Sequence, residues 1–221
     1  MAVVCHKHQL LYVPVPKNAC SSIKSLMFEL ENGFKFSPVD QDGKKITSIH
    51  QVYFSHKFSF ERVKSLVPEW RSYFKFCVVR DPLRRFVSAY RNRVLFHGEL
   101  SERALAASRI SSSMLLPNPP IEYFVEHLSL YRIASWSMMH HTDPQVDFLG
   151  DWLDFYDYIC PFEELSVLSD QLSLRIGRAI SLERLQDGGP PLDVSTLRPA
   201  TKKQLYQYYE KDYLALRKYY A

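Results

Sequence analysis

Two junctions of one kind constrain this chain more than any other feature. In each, an apolar run leads into a short polar loop that opens an amphipathic helix. Residues 10–15, Leu-Leu-Tyr-Val-Pro-Val, read as a buried strand ending at Pro16. After the loop Pro16–Ser22, the spacing of Ile23, Leu26, Met27 and Leu30 predicts a helix over 22–31 with one apolar stripe. Asn32-Gly33 is its C-terminal stop. The second junction starts from residues 74–80, Phe-Lys-Phe-Cys-Val-Val-Arg, a run of aromatic and β-branched residues that predicts a strand. Asp81-Pro82 then begins a helix, with Asp as N-cap and Pro at the first helical position. Its buried stripe is Leu83, Phe86, Val87, Tyr90 and Val94. Strands alternating with helices argue an α/β layered fold on a parallel sheet.

The rest of the chain fits this alternation. Residues 34–50 are polar, with Pro38 and Asp42-Gly43, and read as a surface excursion. A short strand is expected within His50–Phe60 and a short helix over Phe60–Val67. Residues 99–113 read as helical or mobile, Pro117–Pro120 as a break, and Ile121–Leu130 as helix. A short strand at Tyr156–Cys160 precedes a helix over Phe162–Arg178. Asp187–Asp193, with Gly188, Gly189, Pro190 and Pro191, is a loop, and Thr201–Tyr220 is a helical, Tyr-rich tail. Residues 1–221 are expected to form a single domain.

A net charge of +4 and a pI near 8.8 suit either an ordinary soluble protein or one that takes an anionic ligand, such as a nucleotide or acidic glycan. No Lys/Arg block is long enough for a nucleic-acid arm, so no nucleic-acid partner is expected. The four cysteines form no CxxC pair, which argues against a zinc site. Cys5, Cys77 and Cys160 sit in strand-like runs and read as buried free thiols. There is no signal peptide and no apolar stretch of about 18 residues. With Met1 as the true start, the expectation is a cytoplasmic protein. A piece trimmed from a membrane-anchored parent would read the same.

The loop Pro16-Lys17-Asn18-Ala19-Cys20-Ser21-Ser22 has the character of an anion site. A loop that enters a helix N-terminus exposes unpaired N–H groups and the positive end of the helix dipole. Ser21 and Ser22 add hydroxyls, and Lys17 adds a full charge. The order is not that of a Walker A loop, because the Lys precedes the turn instead of opening the helix. At the second junction Arg80 ends its strand, the crevice position for ligands in open α/β sheets. Arg84, Ser88 and Arg91 fall on one flank of the following helix, away from the apolar stripe. Arg80 and Ser88 could share a phosphate, the first as a charged fork and the second as a hydroxyl. Each stretch, taken alone, also reads as an ordinary capped helix beside a solvated cation.

Pro16–Lys24 resembles the 5'-phosphosulfate loop of Golgi-type carbohydrate sulfotransferases, and Phe76–Asn92, containing Val-Val-Arg-Asp-Pro-Leu-Arg-Arg-Phe-Val-Ser-Ala-Tyr-Arg, closely resembles their 3'-phosphate motif. Weaker similarity continues through His141–Gln145, Tyr156–Glu164 and Leu205–Tyr213. The resemblance implies a P-loop-like three-layer α/β/α fold with a central parallel sheet. It implies 3'-phosphoadenosine 5'-phosphosulfate (PAPS) as donor and a hydroxyl acceptor, a carbohydrate or glycolipid. By the family pattern, Lys17 and Asn18, Ala19, Cys20, Ser21 and Ser22 would hold the 5'-phosphosulfate, and Arg80 with Ser88 the 3'-phosphate. Because the chain begins almost at its first core strand, a soluble, bacterial-like member is expected. Sulfuryl transfer runs in line through a loose transition state, so no metal is expected.

The acceptor hydroxyl needs a general base. His56, ahead of Arg80, leads, because related heparan-type enzymes place a catalytic His at a similar point. His141, in His-Thr-Asp-Pro-Gln, is second and His50 third. His6 and His8 have strand spacing that could chelate a metal, but lack a third ligand. Segments 34–58, 97–120 and 186–198 are the expected acceptor lining, with Arg103, Arg109 and Arg198 as cations for an acidic acceptor. Two other readings share the shape, a P-loop-class kinase and a non-catalytic nucleotide-binding protein.

Overall fold

The computed structural model describes residues 2–41, 44–108, 115–183 and 188–220. The Asp42-Gly43 turn, Arg109 and Asp187 lie outside the described residues. The chain divides into two compact units, Met1–Arg80 with Gln145–Gln186, and Asp81–Pro144 with Asp187–Ala221.

In chain order, the first unit begins with β1 (Val3–Cys5), β2 (Leu10–Val13) and α1 (Cys20–Asn32). It continues through β3 (Val39–Gln41), β4 (Lys44–Ile46), α2 (Ile49–Val52), α3 (Phe60–Leu66) and β5 (Phe74–Val79). The second unit holds α4 (Pro82–Tyr90), α5 (Glu102–Ala106), α6 (Ile121–Glu126), α7 (Leu128–Ala134) and α8 (Trp136–Thr142). The chain then returns to the first unit with α9 (Gln145–Leu149), β6 (Tyr158–Pro161) and α10 (Leu165–Ile176), and ends in the second with α11 (Pro199–Tyr208) and α12 (Glu210–Ala215).

The first unit carries the α/β fold expected from the two junctions. Among the described residues its sheet has the order β1-β2-β5-β6. Pairings β2–β5 (Leu10 opposite Phe74) and β5–β6 (Phe76 opposite Tyr158) are parallel. The sheet is mixed, not wholly parallel, because β1 runs antiparallel to β2 (Val3 opposite Tyr12). A tight turn through His6–Gln9 joins them, and so short a connection can only make an antiparallel pair. All six residues of β5 are buried, which explains why its sequence reads as a continuous apolar run without alternation.

One sheet face and two helices form the core of this unit. Tyr12, Phe74, Phe76, Val78 and Cys160 pack with Ile23, Leu26, Met27 and Leu30 of α1 and with Leu168 and Leu172 of α10. The predicted apolar stripe of α1 is thus the buried one, and Gly33 closes the helix at φ 84°. The rings of Tyr12 and Phe76 stack at 5.2 Å. The Tyr12 hydroxyl is buried without a hydrogen-bond partner among the described residues. An unsatisfied buried hydroxyl costs about 1–3 kcal/mol. Tyr12→Phe is therefore expected to hold or raise stability, by up to about 1 kcal/mol, in urea unfolding. A clear loss would mean that the hydroxyl has a partner.

Three local expectations change. The excursion over 34–50 contains the hairpin β3–β4, a separate two-stranded sheet. The strand expected within His50–Phe60 is absent. Ser48 and Gln51 form a capping box that winds residues 49–52 into a helical turn, and residues 53–59 run on without a strand partner. The aromatic residues that suggested a strand are satisfied by ring packing instead, with Phe58 5.4 Å from Phe155 and Phe60 5.1 Å from Trp70. The helix expected over 162–178 opens with a 3-10 turn, Phe162–Glu164, before α10.

The second unit is helical among its described residues. Asp81 caps α4 as expected, its Oδ1 accepting from Arg84 N at 2.8 Å, with Pro82 in the first turn. Leu83, Phe86, Val87, Tyr90 and Val94 are all buried, packed with Phe124, Tyr131, Met138, Leu205 and Tyr209. α4 runs on into a π-helical segment, Arg91–Phe96. Arg85 is fully buried and donates to the Asp143 carbonyl at 2.8 Å, while Arg132 pairs with the Asp143 carboxylate at 2.6 Å.

All four cysteines are free and buried. Burial pushes the Cys5 thiol up to about 11 and the Cys160 thiol up to about 12, so both stay protonated and unreactive near neutral pH.

Candidate functional site

The parallel pair β2–β5 ends on one edge of the sheet, with Val13 opposite Cys77. The loop 16–19 and Arg80 leave from that edge side by side. The loop backbone is unusual. Lys17 has φ 69° and Ala19 φ 56°, both in the left-handed region that disfavours side chains with a Cβ. Such residues cost about 1–3 kcal/mol each and persist where the surroundings hold them. Ala19 is also the N-cap of α1 and makes no side-chain cap, so the first N–H groups of the helix are left to other partners. A left-handed residue followed by right-handed helical ones turns successive N–H groups toward one concave side, a nest for an anion.

What holds the loop is a buried amide network. Asn18 and Gln145 are fully buried. Asn18 Nδ2 donates to the Val78 carbonyl of β5 at 2.9 Å and to Gln145 Oε1 at 2.7 Å. The Gln145 amide in turn clasps the backbone of Arg80. Its Oε1 accepts from Arg80 N at 3.1 Å, and its Nε2 donates to Arg80 O at 2.7 Å. Arg80 Nη1 donates back to the Lys17 carbonyl at 3.2 Å, and the guanidinium lies 4.2 Å from the centre of the Phe162 ring. Asn18, Gln145 and Arg80 thus tie the nest to the end of β5. Asn18 Oδ1 is buried with no partner among the described residues.

A second network lies behind the first turn of α1. Ser21 Oγ is 2.7 Å from His50 Nε2, and Lys24 Nζ is 3.2 Å from His50 Nδ1 and 2.8 Å from Ser55 Oγ. Lys24 is fully buried, and burial holds its ammonium below the usual lysine range. His56 follows Ser55 and lines a small cavity with Val13, Ser59 and Arg62. Burial above all holds the His56 imidazole below its ordinary value, with the charges of Arg62 and Lys24 among the lesser causes.

Of the residues singled out from sequence, Lys17, Asn18, Ala19, Cys20, Ser21, Ser22, Arg80, His50 and His56 therefore all belong to the first unit. Ser88 lies on α4 of the second unit, partly exposed on the flank that carries Arg84. His141 lies on α8 of the second unit, its Nδ1 donating to the Ser137 carbonyl at 2.8 Å. Among the described residues, no group of three or more His, Cys, Asp or Glu side chains could hold a metal ion.

The profile of the Sulfotransferase family matches residues 1–187. The chain belongs to the sulfotransferase family. Carbohydrate sulfotransferase 11 of Rattus norvegicus is 35% identical over 166 residues, 72% of this chain and 45% of that protein. Carbohydrate sulfotransferase 11 of Danio rerio is 25% identical over 237 residues, 96% of this chain and 65% of that protein. Carbohydrate sulfotransferase 12 of Xenopus laevis is 24% identical over 249 residues, 96% of this chain and 58% of that protein. The chain thus spans about half to two thirds of the length of these relatives. No solved structure matches. Among the described residues of this family member, no helix is long and apolar enough to cross a membrane.

Sequence reasoning missed Lys24 and Gln145. Lys24 sits beside the apolar stripe of α1, where a lysine is ordinarily solvated. In the sequence Gln145 stands out only as the end of His-Thr-Asp-Pro-Gln. Nothing local in the sequence shows that its amide reaches Arg80 and Asn18.

Proposed function

We propose that this sulfotransferase moves a sulfuryl group from PAPS to a hydroxyl of a carbohydrate acceptor. The observation that carries the reading is the linkage of two anion-binding features through buried amides. The strained loop 16–19, which leads into the first turn of α1, is fastened through Asn18 and Gln145 to Arg80. A donor with phosphate at both its 5' and 3' positions needs two such features at a fixed separation. Family membership and the relatives' names support sulfuryl transfer and a carbohydrate acceptor.

In this reading, Lys17, the hydroxyls of Ser21 and Ser22 and the N–H groups of Ala19 and Cys20 hold the 5'-phosphosulfate, while Asn18, whose own N–H is spent on the Val15 carbonyl at 3.3 Å, keeps the loop in shape. Arg80 holds the 3'-phosphate, and Ser88 joins it by its place in the same sequence motif. Charge grows on the bridging oxygen as the bond to sulfur breaks, and Lys17 neutralises it. His56 accepts the proton of the acceptor hydroxyl, with His141 as the alternative base. The positive charge the reaction needs comes from Lys17 and the loop N–H groups, without a metal.

Calorimetry tests this directly. Adenosine 3',5'-bisphosphate is expected to bind in the micromolar range or tighter, and AMP about ten- to hundredfold more weakly. That interval is the worth of one charge-assisted, partly buried contact, about 1.5–3 kcal/mol. Arg80→Ala should bring the two affinities together. Equal affinities in the unmodified protein would remove the 3'-phosphate site, and preferential binding of ATP with Mg²⁺ would favour a kinase.

A further inference from the structure

The Ser21–His50–Lys24–Ser55 chain asks for an explanation, because a fully buried lysine is a poor choice for mere packing. Its geometry assigns protons. A lysine ammonium only donates, and here it faces two acceptors, Ser55 Oγ at 2.8 Å and His50 Nδ1 at 3.2 Å. A ring nitrogen that faces an ammonium must be the one without hydrogen. The neutral His50 ring then carries its proton on Nε2, which lies 2.7 Å from Ser21 Oγ. An Nε2–H donates, so the Ser21 oxygen accepts, and the hydroxyl hydrogen of Ser21 is turned away from the histidine. Ser21 occupies the first turn of α1, the turn whose N–H groups form the nest.

We propose that Lys24 is a positioning residue that acts through His50 to make the Ser21 hydroxyl a hydrogen-bond donor to the anion held by the 16–21 loop. The inference rests on the reading that this loop holds an anion. The elements are fixed for the task. Lys24 lies one helical turn after Ser21, so both face the same neighbour. His50 is held in the first turn of α2 by the Ser48–Gln51 capping box, with His50 N donating to Ser48 Oγ at 3.2 Å. The opposite arrangement needs a neutral Lys24 that accepts from Nδ1–H, with Ser21 donating to Nε2. That would spend the Ser21 hydrogen on the histidine and present only lone pairs to the anion. An anion in the loop therefore selects the first arrangement and favours the charged form of Lys24. His50 Nε2 is then occupied as a donor, which removes His50 from the candidate bases.

The test uses the full chain labelled with 15N-histidine, observed by long-range 1H–15N correlation at about pH 8, above the ordinary imidazole range. The His50 signals are assigned by their loss in His50→Gln. Nδ1 is expected to be bare and Nε2 protonated, and a proton on Nδ1 overturns the proposal. This readout on the unmodified chain decides the matter even if a Lys24 variant does not fold. Affinities for inorganic pyrophosphate and for adenosine 3',5'-bisphosphate are then compared in Ser21→Ala, Lys24→Met and the double variant. Each single change should weaken binding about tenfold or more, the worth of a hydrogen bond to a charged group. The double variant should lose no more than Ser21→Ala alone. Additive losses overturn the proposal, because they would mean that Lys24 acts independently of Ser21. If pyrophosphate shows the coupling while the nucleotide binds no better than AMP, the PAPS reading fails and the positioning role stands.

Discussion

Lys17→Ala is expected to lower kcat about a hundred- to thousandfold while changing the affinity for adenosine 3',5'-bisphosphate by less than about tenfold. The asymmetry follows from where the charge appears. On the proposed reading, the 5'-phosphate of the product nucleotide would be served by the loop N–H groups with or without the lysine. In the transition state the bridging oxygen gains charge as the bond to sulfur breaks, and on the same reading the Lys17 ammonium would meet it. A preorganised donor of this kind is worth about 3–4 kcal/mol. Alanine is the informative substitution. It keeps a Cβ at φ 69°, so the change removes the charge without relaxing the left-handed backbone, as glycine would. Single-turnover kinetics and calorimetry on the same preparation make the comparison. Normal turnover by Lys17→Ala would mean that the 16–21 loop is not the phosphosulfate site, and the reading of the chain would fall with it.

His56→Ala is expected to lower kcat about a hundred- to ten-thousandfold, the range for loss of a general base, with nucleotide affinity nearly unchanged. The pH dependence gives an independent check. The base must be unprotonated to act. Burial holds His56 below the ordinary imidazole range, so the acidic fall in kcat should lie at lower pH than an unperturbed histidine would give. Stability should move in the same sense. The unfolded chain takes up the His56 proton at about pH 6.5, before the folded protein does, so this group's contribution is present above that pH and is lost as the pH falls. In His56→Ala the remaining activity should lose that acidic limb. If His56→Ala keeps near-normal kcat while His141→Ala loses it, the base is His141.

The elements of the fold were largely legible. The α1 and α4 stripes, the Asp81-Pro82 start, the Gly33 stop and the strands at 10–13 and 74–79 all follow from spacing and end residues. The side-chain directions behind them are set within one or two turns of chain. The strand expected near His56 failed for a related reason. Aromatic residues favour any half-buried surface, and periodicity cannot tell pairing with a strand from packing among Trp70, Trp152 and Phe155. The strand-like run at Cys5 is β1, but three residues are too few to show that it pairs antiparallel with β2.

By itself, then, the sequence determined the two strand–loop–helix junctions, the helix stripes and caps, and the residue types at the mouth of the loop, because each is a property of neighbours along the chain. Only the tertiary structure decided that Ala19 and Lys17 would hold left-handed backbone, that Gln145 would clasp Arg80 and Asn18, and that Lys24 would be buried against His50 and Ser55. Those contacts join residues tens of positions apart. Burying their polar groups is tolerable because most of their partners arrive at hydrogen-bond distance, a condition set by the packing of α1, α2, α9 and β5 and written in no local period.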